Sequence, residues 1–468
     1  MTVDIVKWLA RAASSATEWE ASFGEYLPHP AAIISDEEFG RVFDELSERL
    51  RGSTPFFHPR YVGQMTRAPH PAAVVGYVAA MLLNQNNHDL AGGPATTEME
   101  HEVVRDLAAM FSLPAHVGHL TSSGTIANLE ALFIARQTHP GRGVAFSADA
   151  HFTHERMCAL LGLTAYSVPT DTRGAMDLTA VEPLVRTGSV GTVVLTAGTT
   201  GVGAIDPIAD ALFLKERYGV RLHVDAAYGG FFALLSDDDD KALEWDPAPW
   251  RAIRGCDSIV VDPHKHGLQP YGCGAVLFAD PAVARHYRHD SPYTRMFSGA
   301  PAHLGEITLE CSRAGASAAA LWTTLRLLPL RRDGLGTVLA STRRAALRFA
   351  RRIEESSELS LYQQPALDVV TYLPSAGRTV SEVDAVSGRM LTDGMSADPT
   401  DAIFLSTLRV DAAGFGGRGH LLDIDAPSGR ILRSALMKPE QELCADDLVA
   451  RIEALAAPVA RADGREPR

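Results

Sequence analysis

The chain is predicted to be an α/β protein whose mostly parallel central sheet is wrapped by helices. Three observations carry this. From about Val117 to Ala279, short apolar and β-branched runs alternate with helical stretches. One run, Ile259–Val261, is apolar at every position, as a strand covered on both faces must be. Hydrophobic residues make up 46% of the 468, enough for a large core and more than one domain.

The elements follow in order. Met1–Asn87 reads as helical with proline-rich interruptions at Leu27–Pro30 and Pro69–Pro71. Asp89–Pro94 (D-L-A-G-G-P) is a loop, and Glu98–Phe111 an amphipathic helix. After the alternating region, Ala314–Leu328 is a helix rich in small residues. Beyond Pro329, Arg331–Glu355 is a basic helix opening a smaller C-terminal α+β domain, and the tail after Ala456 is polar and frayed. The expected division is an N-terminal helical segment over 1–95, a large domain over 96–330 and a small domain over 331–468.

A formal charge of −14 argues against nucleic acid or an anionic membrane as partner. No run of about 18 apolar residues offers a membrane span. Met1–Ser15 lacks the basic start, apolar centre and small-residue cleavage site of a secretory leader. Five widely spaced cysteines (158, 256, 273, 311, 444) read as reduced thiols, which fits the cytoplasm. Ser236–Lys241 (S-D-D-D-D-K) reads as a solvated loop. Gly414–Gly419 (G-F-G-G-R-G) spells a dinucleotide fingerprint, but with no strand expected before it and no helix after it the run reads as a flexible loop. His101-Glu102 begins a zinc-protease pattern, yet Arg105 stands where the second histidine belongs, and no G-x-S-x-G elbow occurs.

Chemistry concentrates in four segments. In Ser258–Gly267 (S-I-V-V-D-P-H-K-H-G), Pro263 ends the strand and His264 and Lys265 follow. An ammonium beside imidazoles at the end of a buried strand is poorly solvated, so a lowered pKa is expected for Lys265; the neutral amine attacks aldehydes. In Leu120–Leu132, the small donors Ser122, Ser123, Gly124 and Thr125 precede an apolar helical pattern, a start suited to binding an anion or to ordinary capping. In Val220–Gly230, Asp225 ends a strand, where a buried carboxylate can hold a pyridine nitrogen protonated, and Ala226 and Ala227 leave room for a flat ring. His151, in S-A-D-A-H-F-T-H-E-R, is flat enough to stack on such a ring. His154 lies close by, but no further ligands at metal spacing follow and no metal is expected.

Together these segments resemble the pyridoxal-phosphate-dependent group II amino-acid decarboxylases, the family of the aromatic-amino-acid, glutamate and tyrosine decarboxylases. The resemblance runs from about Phe57 to Pro439, with the motifs in the family's order. It implies a fold-type I enzyme that uses pyridoxal 5'-phosphate to convert an L-amino acid to the amine and carbon dioxide. It also implies the residue roles. Lys265 would bind the cofactor's aldehyde, Asp225 would pair with its ring nitrogen, and His151 would stack on the ring. Ser123, Gly124, Thr125 and His264 would hold the phosphate, with Ala227 and Thr200 (V-L-T-A-G-T-T-G) lining the site. Tyr293, in H-D-S-P-Y-T-R, matches a loop tyrosine that returns a proton to Cα, with Tyr287 as rival. Arg433 (I-L-R-S-A-L) matches an arginine that receives the substrate carboxylate. Arg313 (E-C-S-R) is a second anion contact, and Thr66 (G-Q-M-T-R) falls in a pocket-lining stretch. A homodimer is implied.

Alternatives are decarboxylation coupled to oxidative deamination, a carbon–carbon lyase on the same fold, or a non-catalytic homologue. Relatives that make aldehydes tend to alter the loop tyrosine or the stacking histidine. His151 and Tyr293 together favour simple decarboxylation, and Lys265, Asp225 and His151 oppose the non-catalytic reading.

Overall fold

A computed structural model describes residues 3–237, 240–287 and 304–457. The N-terminal helices are α1 (Ile5–Ala21), α2 (Asp36–Arg51) and α3 (Pro71–Met81), followed by α4 (Pro94–Met110). Pro71 and Pro94 occupy the starts of α3 and α4, where a missing N–H costs nothing, so these prolines begin helices.

The alternating region follows as β1 (Val117–Thr121), α5 (Gly124–Thr138), β2 (Gly143–Ser147), α6 (Thr153–Leu161), β3 (Ala165–Val168) and α7 (Leu178–Arg186). It continues through β4 (Val190–Thr196), α8 (Ile208–Tyr218), β5 (Arg221–Asp225), α9 (Ala248–Ala252), β6 (Ser258–Val261) and β7 (Gly274–Phe278). Among the described residues these strands form a seven-stranded sheet of order β1-β7-β6-β5-β4-β2-β3. β7 runs antiparallel to both β1 and β6, and the other pairings are parallel. Strands β4, β6 and β7 are buried along their whole length, as continuous apolar runs require.

Two registers place the site. Thr196 pairs with Asp225 and Asp225 with Val260, so β4, β5 and β6 end side by side. Helix α5 covers this sheet, packing Ala127, Ala131 and Ile134 on Val260, Val276 and Phe278, so that its first turn opens over the same strand ends. Gly274 permits the close approach: a Cβ there would lie 2.6 Å from Thr121 Oγ1.

The remaining elements are α10 (Ala316–Leu327), α11 (Leu335–Glu354), β8 (Leu359–Gln363), β9 (Val369–Pro374), α12 (Val380–Ser396), β10 (Ser406–Asp411), α13 (Ala412–Gly417), β11 (Ser428–Ala435) and α14 (Gln441–Ala456). The strands form an antiparallel sheet of order β10-β11-β9-β8. Its core packs Phe349 and Ile353 of α11 and Leu448 and Ile452 of α14 on Tyr372 and Leu432. Val62 joins that core, its N–H donating to Phe404 O at 3.0 Å. The basic helix expected from Arg331 starts at Leu335, because Pro329–Gly334 closes a turn first.

The glycine-rich run at Gly414–Gly419 departs from expectation. Strand β10 does precede it, and Gly414–Gly417 lie in helix α13, seated through buried Phe415 on Tyr362. β10 pairs antiparallel with β11, so no βαβ unit forms and the fingerprint remains coincidental. All five cysteines are free thiols. Among the described residues no helix is long and apolar enough to cross a membrane. The tail after Ala457 and Asp238–Asp239 of the acidic loop lie outside the described residues.

Candidate active site

Where β4, β5 and β6 end, a cavity of about 230 Å³ opens beneath the first turn of α5. Ser123, Gly124, Thr125, His151, Thr200, Asp225, Ala227, His264 and Lys265 all stand on its wall, from segments far apart in sequence. Local structure explains each placement. Ser123 caps α5, its Oγ accepting from Ile126 N at 3.3 Å while its O–H stays free to donate. Asp225 is the last residue of β5. The ladder runs one step further, Ala226 N donating to Val260 O at 2.9 Å, and the chain then turns with Ala227 N donating to Asp225 Oδ1 at 3.1 Å. Lys265 sits in a tight turn after β6, its N–H donating to Asp262 O at 2.9 Å. His264 is anchored by its Nδ1, 2.7 Å from Cys273 O.

The charge state of Lys265 differs from expectation. Burial pulls its pKa down, but Asp262, with Oδ2 2.9 Å from Nζ, and Asp225 outweigh burial and raise it. Lys265 is therefore an ammonium held by Asp262. Asp225 goes the other way. Burial pushes its pKa up, yet the hydrogen bond from His154, together with Lys265, holds it well below the carboxylate range. Burial lowers His151, with Asp225 opposing, and burial likewise lowers His264.

Behind Asp225 lies a buried polar chain that local sequence reading missed. His154 Nε2 is 2.9 Å from Asp225 Oδ2, and Asn128 Nδ2 donates to the same oxygen at 3.2 Å. Asn128 Oδ1 is 2.9 Å from His223 Nε2, and His223 Nδ1 is 2.9 Å from Ser258 Oγ. The signals were faint: Asn128 follows Gly124 by one helical turn, His154 follows His151 by three residues, and Asp262 precedes Lys265 by three.

These residues fit a phosphorylated pyridine aldehyde. The first turn of α5 offers backbone and hydroxyl donors to an anion, a buried carboxylate faces the space where a ring nitrogen would lie, and a primary amine closes the cavity. Gly124 lets Asp262 approach the helix start, since a Cβ there would lie 2.6 Å from Asp262 Oδ2.

The remaining expectations divide. Arg433 lines an adjoining cavity of about 770 Å³ that shares His151 and Thr200 with the first. Its Nε donates to Gly201 O at 3.0 Å, while its buried Nη2 has no hydrogen-bond partner among the described residues. Arg313 does not reach either cavity. Its Nη1 pairs with buried Glu100 Oε1 at 2.6 Å, so the neighbouring carboxylate takes the charge that was expected to meet an external anion. Thr66 lies on neither wall, and Gln64 lines the larger cavity in its place, because the chain turns at Thr66 N, which donates to Gln64 O. Tyr287 packs against Phe133 and His119 and lines neither cavity. Tyr293 lies outside the described residues.

Comparison with known proteins follows the same direction. The family described as pyridoxal-dependent decarboxylase conserved domain matches residues 26–373. An L-tyrosine decarboxylase of Enterococcus faecium is 29% identical over 424 residues, covering 70% of this chain and 69% of its own. A probable L-tyrosine/L-aspartate decarboxylase of Methanoculleus marisnigri is 32% identical over 337 residues, 71% of this chain and 85% of its own. The crystal structure of mouse CSAD is similar with a TM-score of 0.78 at 20% identity, covering 96% of this chain and 98% of that one.

Proposed function

The chain belongs to the pyridoxal-dependent decarboxylase family, and from that premise we propose how its own residues carry the reaction. The activity is decarboxylation of an L-amino acid to the amine and carbon dioxide, with pyridoxal 5'-phosphate as cofactor. When bound, the cofactor supplies an electron sink for the charge left at Cα as the carboxylate departs.

The residues divide that work. Ser123, Gly124, Thr125 and His264 would hold the phosphate, Asp225 the ring nitrogen, and His151 would lie on the ring face beside Thr200 and Ala227. Lys265 would bind the aldehyde, and for that its ammonium must first give up the proton that Asp262 stabilises. Asp262 is thus the group that sets when the amine becomes a nucleophile. Arg433, which lines the larger cavity and keeps a buried Nη2 without a partner among the described residues, would receive the substrate carboxylate. Tyr293, from its place in H-D-S-P-Y-T-R, would return a proton to Cα. The observation that carries the reading is the convergence of Lys265, Asp225, His151 and the start of α5 on one cavity.

The protein would act as a cytoplasmic homodimer. Helices α1 and α2 and the turn after α1 leave Phe23 76% and Phe39 64% exposed, with Trp19 and Phe43 beside them, more apolar surface than a monomer ordinarily leaves in water. Light scattering that gives the mass of one chain at micromolar concentration would refute the dimer.

The deciding experiment is a panel of aromatic, acidic, basic and aliphatic L-amino acids scored for carbon dioxide and amine. Amine and carbon dioxide should appear in equal amounts from one side-chain class, and Lys265→Ala should release none. Aldehyde and peroxide in place of amine, or undiminished release by the variant, would overturn the reading.

A further inference from the structure

We propose that His154, with Asn128, is a positioning residue that keeps Asp225 a weak base, so that the proton shared with the cofactor's ring nitrogen stays on the ring. The inference rests on the pairing of Asp225 with that nitrogen. It concerns what stands behind the carboxylate.

Asp225 is buried at the end of β5 and is met by three donors. Its Oδ2 faces both His154 Nε2 and Asn128 Nδ2, and its Oδ1 accepts from Ala227 N. A carboxylate has about four acceptor positions. The position that remains is on Oδ1, so the protein selects the oxygen that meets the ring. Each donor also stabilises the anion over the acid, which makes the carboxylate a poorer base.

The direction of the chain behind it is determined. Burial drives the His223 pKa down to about 3, so its ring is neutral and carries a single N–H. Asp225 is an anion and requires the amide N–H₂ of Asn128, which leaves Asn128 Oδ1 facing His223. The N–H of His223 is therefore on Nε2, and Ser258 donates its hydroxyl to Nδ1. Reversing Asn128 would set an oxygen against the carboxylate, so its donor stays aimed at Asp225.

His154 carries the stronger half of the argument. It sits on α6 against Phe146, near Met157 and Cys158, and its Nδ1 is buried with no partner among the described residues. A leucine would pack there without burying polar nitrogen, which costs free energy when unsatisfied. Among the described residues, the one hydrogen bond made by the His154 ring is the one to Asp225.

Losing that donor makes Asp225 more basic, drawing the shared proton from ring to carboxylate and weakening the electron sink. The test is the ¹⁵N chemical shift of ring-labelled pyridoxal phosphate bound to the full chain. Wild type should show a protonated ring nitrogen. His154→Leu and Asn128→Leu should move the resonance toward that of neutral pyridine, and His154→Gln, which retains an N–H donor, should return it. A His154→Leu variant that melts like wild type, binds the cofactor and keeps the wild-type shift would overturn the proposal, as would a glutamine variant displaced as far as leucine. Should His154→Leu fail to fold, an unmoved resonance in Asn128→Leu overturns it equally. Absence of covalent cofactor on Lys265 in the wild type would sink the proposed function instead, so the two failures are distinguishable.

Discussion

Two buried histidine–carboxylate pairs flank α5, and they behave in opposite ways. His154 and Asp225 lie 2.9 Å apart, and His119 and Glu130 lie 2.8 Å apart. All four side chains are buried. Yet Asp225 is held far below its ordinary range, while burial pushes Glu130 up to about 7 despite bonds from Leu309 N and Thr308. The two histidines differ in alignment. Asp225 receives directed hydrogen bonds from two side chains and feels Lys265. His119 Nε2 and Glu130 Oε2 are close but form no aligned hydrogen bond. Glu130 also has the donors Leu309 N and Thr308 Oγ1 and feels Arg313, and burial still outweighs them, so a histidine that is merely close does not ionise a buried carboxylate. The ionised member lines the cavity, and the other ties α5 to Thr308 and Leu309 inside the fold.

The largest expected effect tests that division. Asp225→Asn should lower the rate of carbon dioxide release by about 10²–10³-fold, in the range seen when one preorganised electrostatic group is removed. Glu130→Gln should leave the rate near wild type. Equal losses in the two variants would erase the distinction.

Next in size is a pair of opposite pH slopes in stability. Glu130 has a raised folded-state pKa, so its contribution is complete below its ordinary value of 4.5 and is lost as pH rises through about 7. A shift of that size corresponds to a few kcal/mol. Denaturant melts of Glu130→Gln should therefore show a gain over wild type at pH 8 that disappears near pH 4. Asp225 has a depressed pKa, so its contribution is present above its ordinary 3.8 and lost on further acidification. Asp225→Asn should accordingly flatten the acid limb. A wild-type protein whose stability is level from pH 4 to pH 8 would contradict the Glu130 half.

The smallest effect concerns the start of the helix that carries both Asn128 and Glu130. Ser123→Ala removes the acceptor for Ile126 N and should cost about 1 kcal/mol in thermal melts of the cofactor-free protein. The cofactor should also bind more weakly, since the same hydroxyl faces the cavity. Unchanged cofactor affinity would confine Ser123 to capping.

Much of this was legible from residue order. The strand ends at Asp225 and before Lys265, and the small-residue start of α5, are local patterns that stay local when the chain folds. Arg313 shows the opposite case. Its partner Glu100 is 213 residues away, and nothing in E-C-S-R announces it. His154 was weighed only as a metal ligand, because the carboxylate it meets lies 71 residues further on.

Sequence alone determined which chemical groups the protein can bring to a site: an amine after one strand, a carboxylate ending another, an imidazole, and an anion-binding helix start. Those depend on residue type and short-range periodicity, which the chain carries into any fold. Tertiary structure decided their protonation. Lys265 is an ammonium because a turn sets Asp262 against it, and Asp225 is an anion because α5 and α6 aim donors at it. Charge in a buried site depends on distance, direction and exclusion of water, and only packing supplies those.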